Sequence, residues 1–228
     1  MITLNLPLSL HDVSRILFGS FAIAIVMWKI AEMLEPANAD FAPKGGRGGR
    51  RALAGVSVAS AVSAIVMAQL VSARPGSSVF VLFAAIAPGL AWIDLRSMFL
   101  PFPILTIMAL AALVTFSVDA LWSGSASHLV RAVSSGLIVV VVGWAWWKGA
   151  SDQIGLGDVA LLGVVGLYLG WWSVPVLWTG LVLACLLWWT TIAMVRLGRS
   201  STGPYLPLGP ALLGGCWWAT ALAATGGL

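Results

Sequence analysis

Long apolar runs separated by short polar segments make up most of the chain. Windows of about 17 to 25 apolar residues suffice for a helix, rising about 1.5 Å per residue, to cross a hydrocarbon core of about 30 Å. The pattern therefore predicts an all-α, polytopic transmembrane bundle of about eight spans. The third and sixth spans are the shortest, so seven spans are the alternative. The predicted spans are residues 13–34, 52–73, 78–93, 100–122, 129–148, 157–172, 174–196 and 206–227.

Composition agrees with this pattern. Of the 228 residues, 60% are hydrophobic and only 9% are charged, whereas soluble domains carry about 25% charged residues. A soluble globular protein is therefore excluded. We divide the chain into N-terminal spans with a short basic loop, residues 1–75, and a membrane core, residues 76–228. Cys185 and Cys216 lie in apolar runs away from histidine, which favours simple packing over a zinc site or a disulfide.

Lysine and arginine predict the orientation. Nine basic residues fall on one side of the eight-span arrangement, and the other side holds only Arg15, Arg74 and Arg131. By the positive-inside rule the nine-residue side is cytoplasmic, so the N-terminus is outside. Asp94 and Asp158 then share the cytoplasmic mouth, whereas Asp119 lies at the opposite face. The nine residues are Lys29, Lys44, Arg47, Arg50, Arg51, Arg96, Lys148, Arg196 and Arg199.

The first cytoplasmic loop, Pro36 to Arg51, is rich in glycine and arginine. Such a segment cannot form a packed core, and it lies next to the membrane. We interpret it as a flexible topology anchor that touches anionic lipid, rather than as a nucleic-acid-binding segment.

The Gly-x-Gly-Asp tetrapeptide at residues 155–158 places a carboxylate at the start of an apolar span. An aspartate inside a membrane helix costs about 3 kcal/mol, so by default it marks a functional site. Gly155 and Gly157 allow the backbone to approach another segment closely. The structural alternative is that Asp158 only complements the positive end of the helix dipole.

Two further segments bear on the chemistry. Asp94 follows the apolar span 78–93 and is followed by Arg96 and Pro101; a simple Asp94–Arg96 pair at the interface is its structural alternative. Residues 203–210 contain three prolines, so the backbone there is broken at the cytoplasmic mouth. Broken backbone at membrane depth persists where it lines a wet cavity, although an ordinary turn into the last span fits equally.

Asp94 and Asp158 together form a candidate carboxylate dyad. Two carboxyl groups held close together cannot both ionise cheaply, so they share one proton and titrate as a unit, as in aspartic proteases. The ionised member takes a proton from water, and the protonated member stabilises the oxyanion or protonates the leaving nitrogen. The sequence leaves these two roles unassigned. Asp152, in a polar loop, is the less favoured acid.

Three motifs, in order, resemble those of prepilin peptidases, membrane aspartic peptidases of the wider GxGD group. They are Asp-Leu-Arg-x-x-x-Leu-Pro at 94–101, Gly-x-Gly-Asp-Val at 155–159 and Pro-x-Gly-Pro-x-Leu at 207–212. The resemblance implies that Asp94 and Asp158 are catalytic. The residues that we expect to shape the site are Gly155, Gly157, Arg96, Pro101, Pro207, Gly209 and Pro210. It also implies a bacterial inner-membrane endopeptidase, without metal or cofactor, that cuts the short basic leader of type IV or Flp-type prepilins after a glycine.

The chain departs from that pattern at two positions. Many relatives carry lysine two residues after the Gly-x-Gly-Asp aspartate, where this chain has Ala160, and asparagine after the Leu-Pro pair, where it has Phe102. Larger relatives also carry a cytoplasmic domain with paired cysteines that N-methylates the new pilin terminus. The first loop here is short and cysteine-free, so we expect no methyltransferase activity.

Three other functional classes remain as alternatives. A presenilin-like intramembrane protease shares residues 155–158 but fits the Asp-Leu-Arg setting of Asp94 poorly. A catalytically silent pilus or secretion assembly protein would keep the fold without needing both acids. A transporter would use acids near the midplane of repeated halves, whereas these acids lie at one mouth.

Overall fold

The computed structural model describes Gly19 and residues 47–71, 76–149, 154–197 and 207–228. Regular structure within these ranges is helical throughout, as predicted. Five of the helices described are long and apolar enough to cross a membrane, which indicates a membrane protein, and a sixth, Leu156–Trp172, is apolar but shorter. The seven helices of the described ranges are α1 Arg47–Val71, α2 Ser77–Ser97, α3 Phe102–Ser123, α4 Ser127–Gly149, α5 Leu156–Trp172, α6 Val174–Leu197 and α7 Gly209–Ala224.

Most predicted spans coincide with these helices, but two boundaries differ. α2 continues to Ser97, past the predicted end at residue 93, so Asp94 lies inside its last turn. α1 begins at Arg47, inside the segment predicted to be a loop, because Arg50, Arg51 and the alanine-containing run after them favour a helix and outweigh Gly48 and Gly49. The predicted span 13–34 and Asp152 lie outside the described residues, Gly19 apart.

The turns that end α2 and α3 use left-handed backbone. Met98 has φ +50° and donates its N–H to the Asp94 carbonyl at 2.8 Å, which closes the C-terminus of α2. Pro101 then precedes α3, whose second residue, Pro103, lies where a missing N–H costs no helical hydrogen bond. Gly124, with φ +68°, ends α3 and turns the chain towards α4. Proline and glycine thus set both ends of α3.

The chain forms two compact units, Met1–Met98 and Phe99–Leu228. In the first unit α1 packs against α2. Buried side chains recur on α1 at intervals of three or four residues, which is one face of a helix. They are Ser60, Ala64, Met67, Ala68 and Val71.

In the second unit α5 is the central helix, because it packs against α3, α4, α6 and α7. Nearly every residue from Val159 to Trp171 is buried. Tyr168 donates its hydroxyl to the Met108 carbonyl of α3 at 3.3 Å. Trp171 stacks on Phe116 with ring centroids 4.1 Å apart. A helix so surrounded by protein can be shorter than its neighbours without exposing its ends to lipid.

Small residues bring α4 and α5 together as an antiparallel pair. A Cβ atom on Gly166 would lie 3.0 Å from both the Gly136 Cα and the Ser135 carbonyl oxygen. A Cβ on Gly170 would lie 2.6 Å from Ser135 Oγ. Glycines at such spacing allow close helix approach in membranes, where dispersion contacts drive association. This interface fixes the position of α5, the helix that carries Asp158.

The α4–α5 interface predicts a strong effect of one methyl group. We expect Gly170→Ala to lower the free energy of unfolding by about 1–3 kcal/mol through overpacking against Ser135. Gly149→Ala is the control, because a Cβ there meets nothing within 4 Å; its effect should stay within about 0.5 kcal/mol. Thermal unfolding in detergent measures both. Equal midpoints for the two variants would contradict the close approach.

Candidate active site

Asp158 lies in the first turn of α5 and folds back onto the preceding loop. Gly155 is the extended N-cap residue, with φ −79° and ψ +152°. Its N–H donates to Asp158 Oδ2 at 3.2 Å, and its carbonyl accepts from the Asp158 N–H at 3.0 Å. The half-buried carboxylate thus supplies one half of a capping box. The first-turn role considered as the structural alternative is therefore present, and it is compatible with chemistry at the same carboxylate.

Gly157 brings two of the three motifs together. A Cβ atom on Gly157 would lie 3.0 Å from Leu100 Cβ and 3.5 Å from the Leu100 carbonyl oxygen. Leu100 and Pro101 are both buried, and Pro101 is the N-cap residue of α3. The Leu-Pro pair therefore packs directly against the Gly-x-Gly-Asp turn. A residue with a side chain at position 157 would push these two segments apart.

Asp94 is buried, with 3% of its surface exposed. The neighbouring Arg96 is exposed, and its guanidinium carbon lies 4.5 Å from the centre of the Trp92 ring. Asp94 belongs to the unit Met1–Met98 and Asp158 to the unit Phe99–Leu228. The predicted dyad therefore stays a prediction, now with one member known to be buried in protein.

The proline-rich segment leads into the last helix. Leu208 is the N-cap residue of α7, and its carbonyl accepts from the N–H groups of Ala211 and Leu212, each at 3.1 Å. Pro210 lies in the first turn, where proline is tolerated, and Gly209 is buried. Pro207 precedes the helix. Its place beside a substrate stays a prediction, and residues 203–206 lie outside the described ranges.

The opposite end of α5 is closed by Arg131 of α4. Its guanidinium donates to the carbonyls of Gly170 at 2.9 Å, Trp171 at 2.6 Å and Trp172 at 2.8 Å. Nδ1 of His128 lies 2.8 Å from the same guanidinium and 3.1 Å from the Trp171 carbonyl oxygen. A cation at a helix C-terminus also complements the dipole. An acid therefore lies at the start of α5 and a cation at its end.

The sequence reading missed this cluster. Arg131 counted only as one of three basic residues on the outer side, and its contacts with His128 and Trp171 were not predicted. Arg131 and His128 contact backbone carbonyls and the Trp171 ring of α5. Every residue has a backbone carbonyl, so the sequence does not indicate which carbonyls will be hydrogen-bonded. Spacing alone offered one signal, since Arg131 and His128 lie one helical turn apart at the start of α4.

The architecture is that of a polytopic helical membrane protein with an acid at the start of its central helix. A family model described as the Type IV leader peptidase family matches residues 78–195. The matched range contains α2 except its first residue, α3 to α5 and most of α6, with both candidate aspartates. The chain belongs to this family of peptidases. Searches of curated proteins and of solved structures give no significant match.

Arg131 offers a direct test of how α5 ends. We expect Arg131→Met to lower the free energy of unfolding by about 1.5–3 kcal/mol, because buried carbonyls lose hydrogen bonds from a charged donor. The loss for Arg131→Lys should lie between zero and the loss for Arg131→Met, because an ammonium group keeps the charge but lacks the planar set of donors of a guanidinium. Arg196→Met, at an exposed end of α6, is the control. Unfolding midpoints in detergent that are equal for Arg131→Met and Arg196→Met would contradict this role.

The Gly157–Leu100 contact predicts that two substitutions compensate each other. Gly157→Val should destabilise the protein through a clash with Leu100, and Leu100→Ala should cost about 2–5 kcal/mol by leaving a cavity. The double variant should be more stable than the sum of the two losses predicts, by about 0.5–3 kcal/mol. A double-mutant cycle on unfolding free energies measures the coupling. Strict additivity would show that these residues do not touch.

Proposed function

We propose that this chain is an aspartic endopeptidase that removes the leader of type IV pilin-like or Flp-like prepilins at the cytoplasmic face of a bacterial inner membrane. Membership of the leader peptidase family is the observation that carries the proposal. Asp94 and Asp158 are the catalytic pair, and a prepilin or pseudopilin is the protein partner. No metal, cofactor or nucleic acid enters the reaction, and the chain has no methyltransferase activity.

The local structure supports the proposed role of Asp158. A catalytic carboxylate must be held in one position, and Asp158 is fixed by the Gly155 N–H and by the close contact of Gly157 with Leu100. α2 leads through Met98 directly into Leu100, and Asp94 lies in the last turn of that helix. The two motifs that meet at Gly157 therefore each contain one member of the proposed pair.

The reaction follows from two carboxyl groups that share one proton. The ionised group removes a proton from a water molecule as the water oxygen attacks the peptide carbonyl carbon. The protonated group hydrogen-bonds the developing oxyanion and then gives its proton to the leaving nitrogen. The water is thereby divided between the new carboxyl and amino termini, and the pair is ready for another cycle.

Replacing each acid tests the proposal. We expect Asp94→Asn and Asp158→Asn each to abolish leader removal from co-expressed prepilin-like proteins, because neither amide can accept the proton of the attacking water. Asp119→Asn is the control: Asp119 is a half-buried acid near the far end of α3, and its variant should process normally. A gel shift of the substrate, at equal membrane abundance of the peptidases, measures removal.

The result that overturns the proposal is equally specific. Either Asp94→Asn or Asp158→Asn processing the substrate as well as wild type would eliminate the dyad. Loss of processing in Asp119→Asn alone would indicate that the catalytic acid lies at the other membrane face. The proposed topology places position 152 in the cytoplasm. A reporter fused there and detected outside the cytoplasm would contradict that topology.

A further inference from the structure

Within the described ranges, Met98 is the one residue other than glycine that has a positive φ. Its backbone angles are φ +50° and ψ +31°, whereas the other positive φ values there belong to Gly76, Gly124 and Gly226. Left-handed backbone brings the Cβ atom of an L-residue close to the following carbonyl oxygen, and glycine avoids this cost. Helices often end on a left-handed residue, but that residue is usually glycine. Met98 therefore holds local strain at the C-terminus of α2.

The local sequence does not require α2 to stop before Met98. Methionine is a good helix former, and neither Ser97 nor Phe99 is a helix breaker. The first proline after the helix is Pro101, which restricts the backbone of Leu100 rather than that of Met98. Burial of the methionine does not offset the strain either, because 59% of the residue is exposed. The support for this conformation therefore comes from outside residue 98.

Two contacts on either side of Met98 supply that support. Its N–H donates to the Asp94 carbonyl at 2.8 Å. Leu100, two residues further on, is buried, and its Cβ atom would lie 3.0 Å from a Cβ atom on Gly157. A helical Met98 would send the chain onward along the axis of α2, so Leu100 would lose this contact. Backbone strain persists where the surrounding structure imposes it, and such places cluster at functional sites.

We propose that Met98 is a positioning residue for the peptidase reaction, and that the reaction depends on its left-handed backbone rather than on its side chain. The inference rests on the proposed function. Asp94 is hydrogen-bonded to Met98 through its own carbonyl, and Leu100 packs against the turn that carries Asp158. The backbone at position 98 therefore sets the direction in which α2, with Asp94 in its last turn, joins the Leu-Pro pair. Met98 acts through Asp94 in this role.

Three substitutions separate the backbone of residue 98 from its side chain. Glycine and asparagine accept left-handed backbone, whereas isoleucine is apolar like methionine but β-branched, which makes a positive φ an outlier. We expect Met98→Gly and Met98→Asn to keep kcat close to that of wild type. Met98→Ile should lower kcat about 100-fold at unchanged KM, since misplacing a catalytic group by about 1 Å costs about that factor. Met194→Ile, on an exposed methionine of α6, is the control and should cleave normally.

The substrate for these measurements is a test protein with a lysine- and arginine-rich leader that ends in glycine, followed by an apolar helix of about 20 residues. Each variant is the full-length chain, compared at equal abundance in the membrane. Met98→Thr, which is β-branched but smaller, takes the place of Met98→Ile if the latter does not accumulate.

Unfolding in detergent tests the strain without any substrate. Met98→Gly should raise the unfolding midpoint, because glycine adopts left-handed backbone without strain. Met194→Gly should lower the midpoint by about 2–4 °C, because glycine is unfavourable inside a helix. The gain from Met98→Gly should shrink in a chain that also carries Leu100→Ala, since the packing that imposes the strain is then weakened. Equal gains in the two backgrounds would show that Leu100 does not hold the turn.

The outcomes distinguish the positioning role from the peptidase function. Loss of cleavage in Met98→Gly as deep as in Met98→Ile overturns the positioning role, because the side chain is then what matters. Wild-type kcat in Met98→Ile overturns it too, as does a midpoint that Met98→Gly lowers as Met194→Gly does. Absence of cleavage by the wild-type chain, with midpoints that shift as expected, defeats the peptidase function and with it any catalytic role of Met98, but leaves the strained turn.

Discussion

The second unit depends on a constraint at the two ends of one short helix. A helix leaves unpaired N–H groups at its start and unpaired carbonyls at its end, and a membrane interior supplies no water to satisfy them. α5 meets this demand at both ends, with the Asp158 carboxylate bonded to the Gly155 N–H and the Arg131 guanidinium bonded to three terminal carbonyls. The Arg131 cation also complements the dipole at the C-terminus of the helix, as the Asp158 carboxylate does at the N-terminus when it is ionised.

The glycines of α5 connect this constraint to the rest of the unit. They let α4 approach α5 so closely that Arg131, a residue of α4, reaches the C-terminal carbonyls of α5. Gly157, at the other end, lets the Leu-Pro pair reach the turn that holds Asp158. Close packing and charge placement are therefore two parts of the same arrangement, and the candidate catalytic acid gains a fixed position from both.

Much of this architecture could be predicted from the sequence, because apolar length is a direct requirement of the bilayer. The predicted spans from 52–73 to 206–227 each coincide with a helix of the described residues. The end of α2 was harder to predict, since Asp94 looked like an interfacial residue although it is buried in protein. Charge alone does not say whether an acid at a span end faces water or a packed interior.

The candidate site was predictable only in part. The motifs indicated which residues matter, and Gly157 was expected to allow a close approach, but its partner, Leu100, depends on tertiary structure. The Arg131 cluster escaped prediction for the same reason, since carbonyl partners are present at every residue. Ala160 and Phe102 were recognisable as departures from a family pattern. That both line one surface groove between α3, α4 and α5 follows only from the arrangement of these helices.

The shortness of α5 has a consequence for access from the water. Gly143 of α4 faces Val159, and α4 continues to Gly149, whereas α5 begins at Leu156. Asp158 therefore lies about one helical turn below the end of α4. That end carries Lys148, whose Nζ lies 5.4 Å and 5.3 Å from the ring centres of Trp144 and Trp147. A molecule that approaches Asp158 along α4 from the water therefore passes a surface of indole and ammonium groups, which favours molecules that are both apolar and anionic.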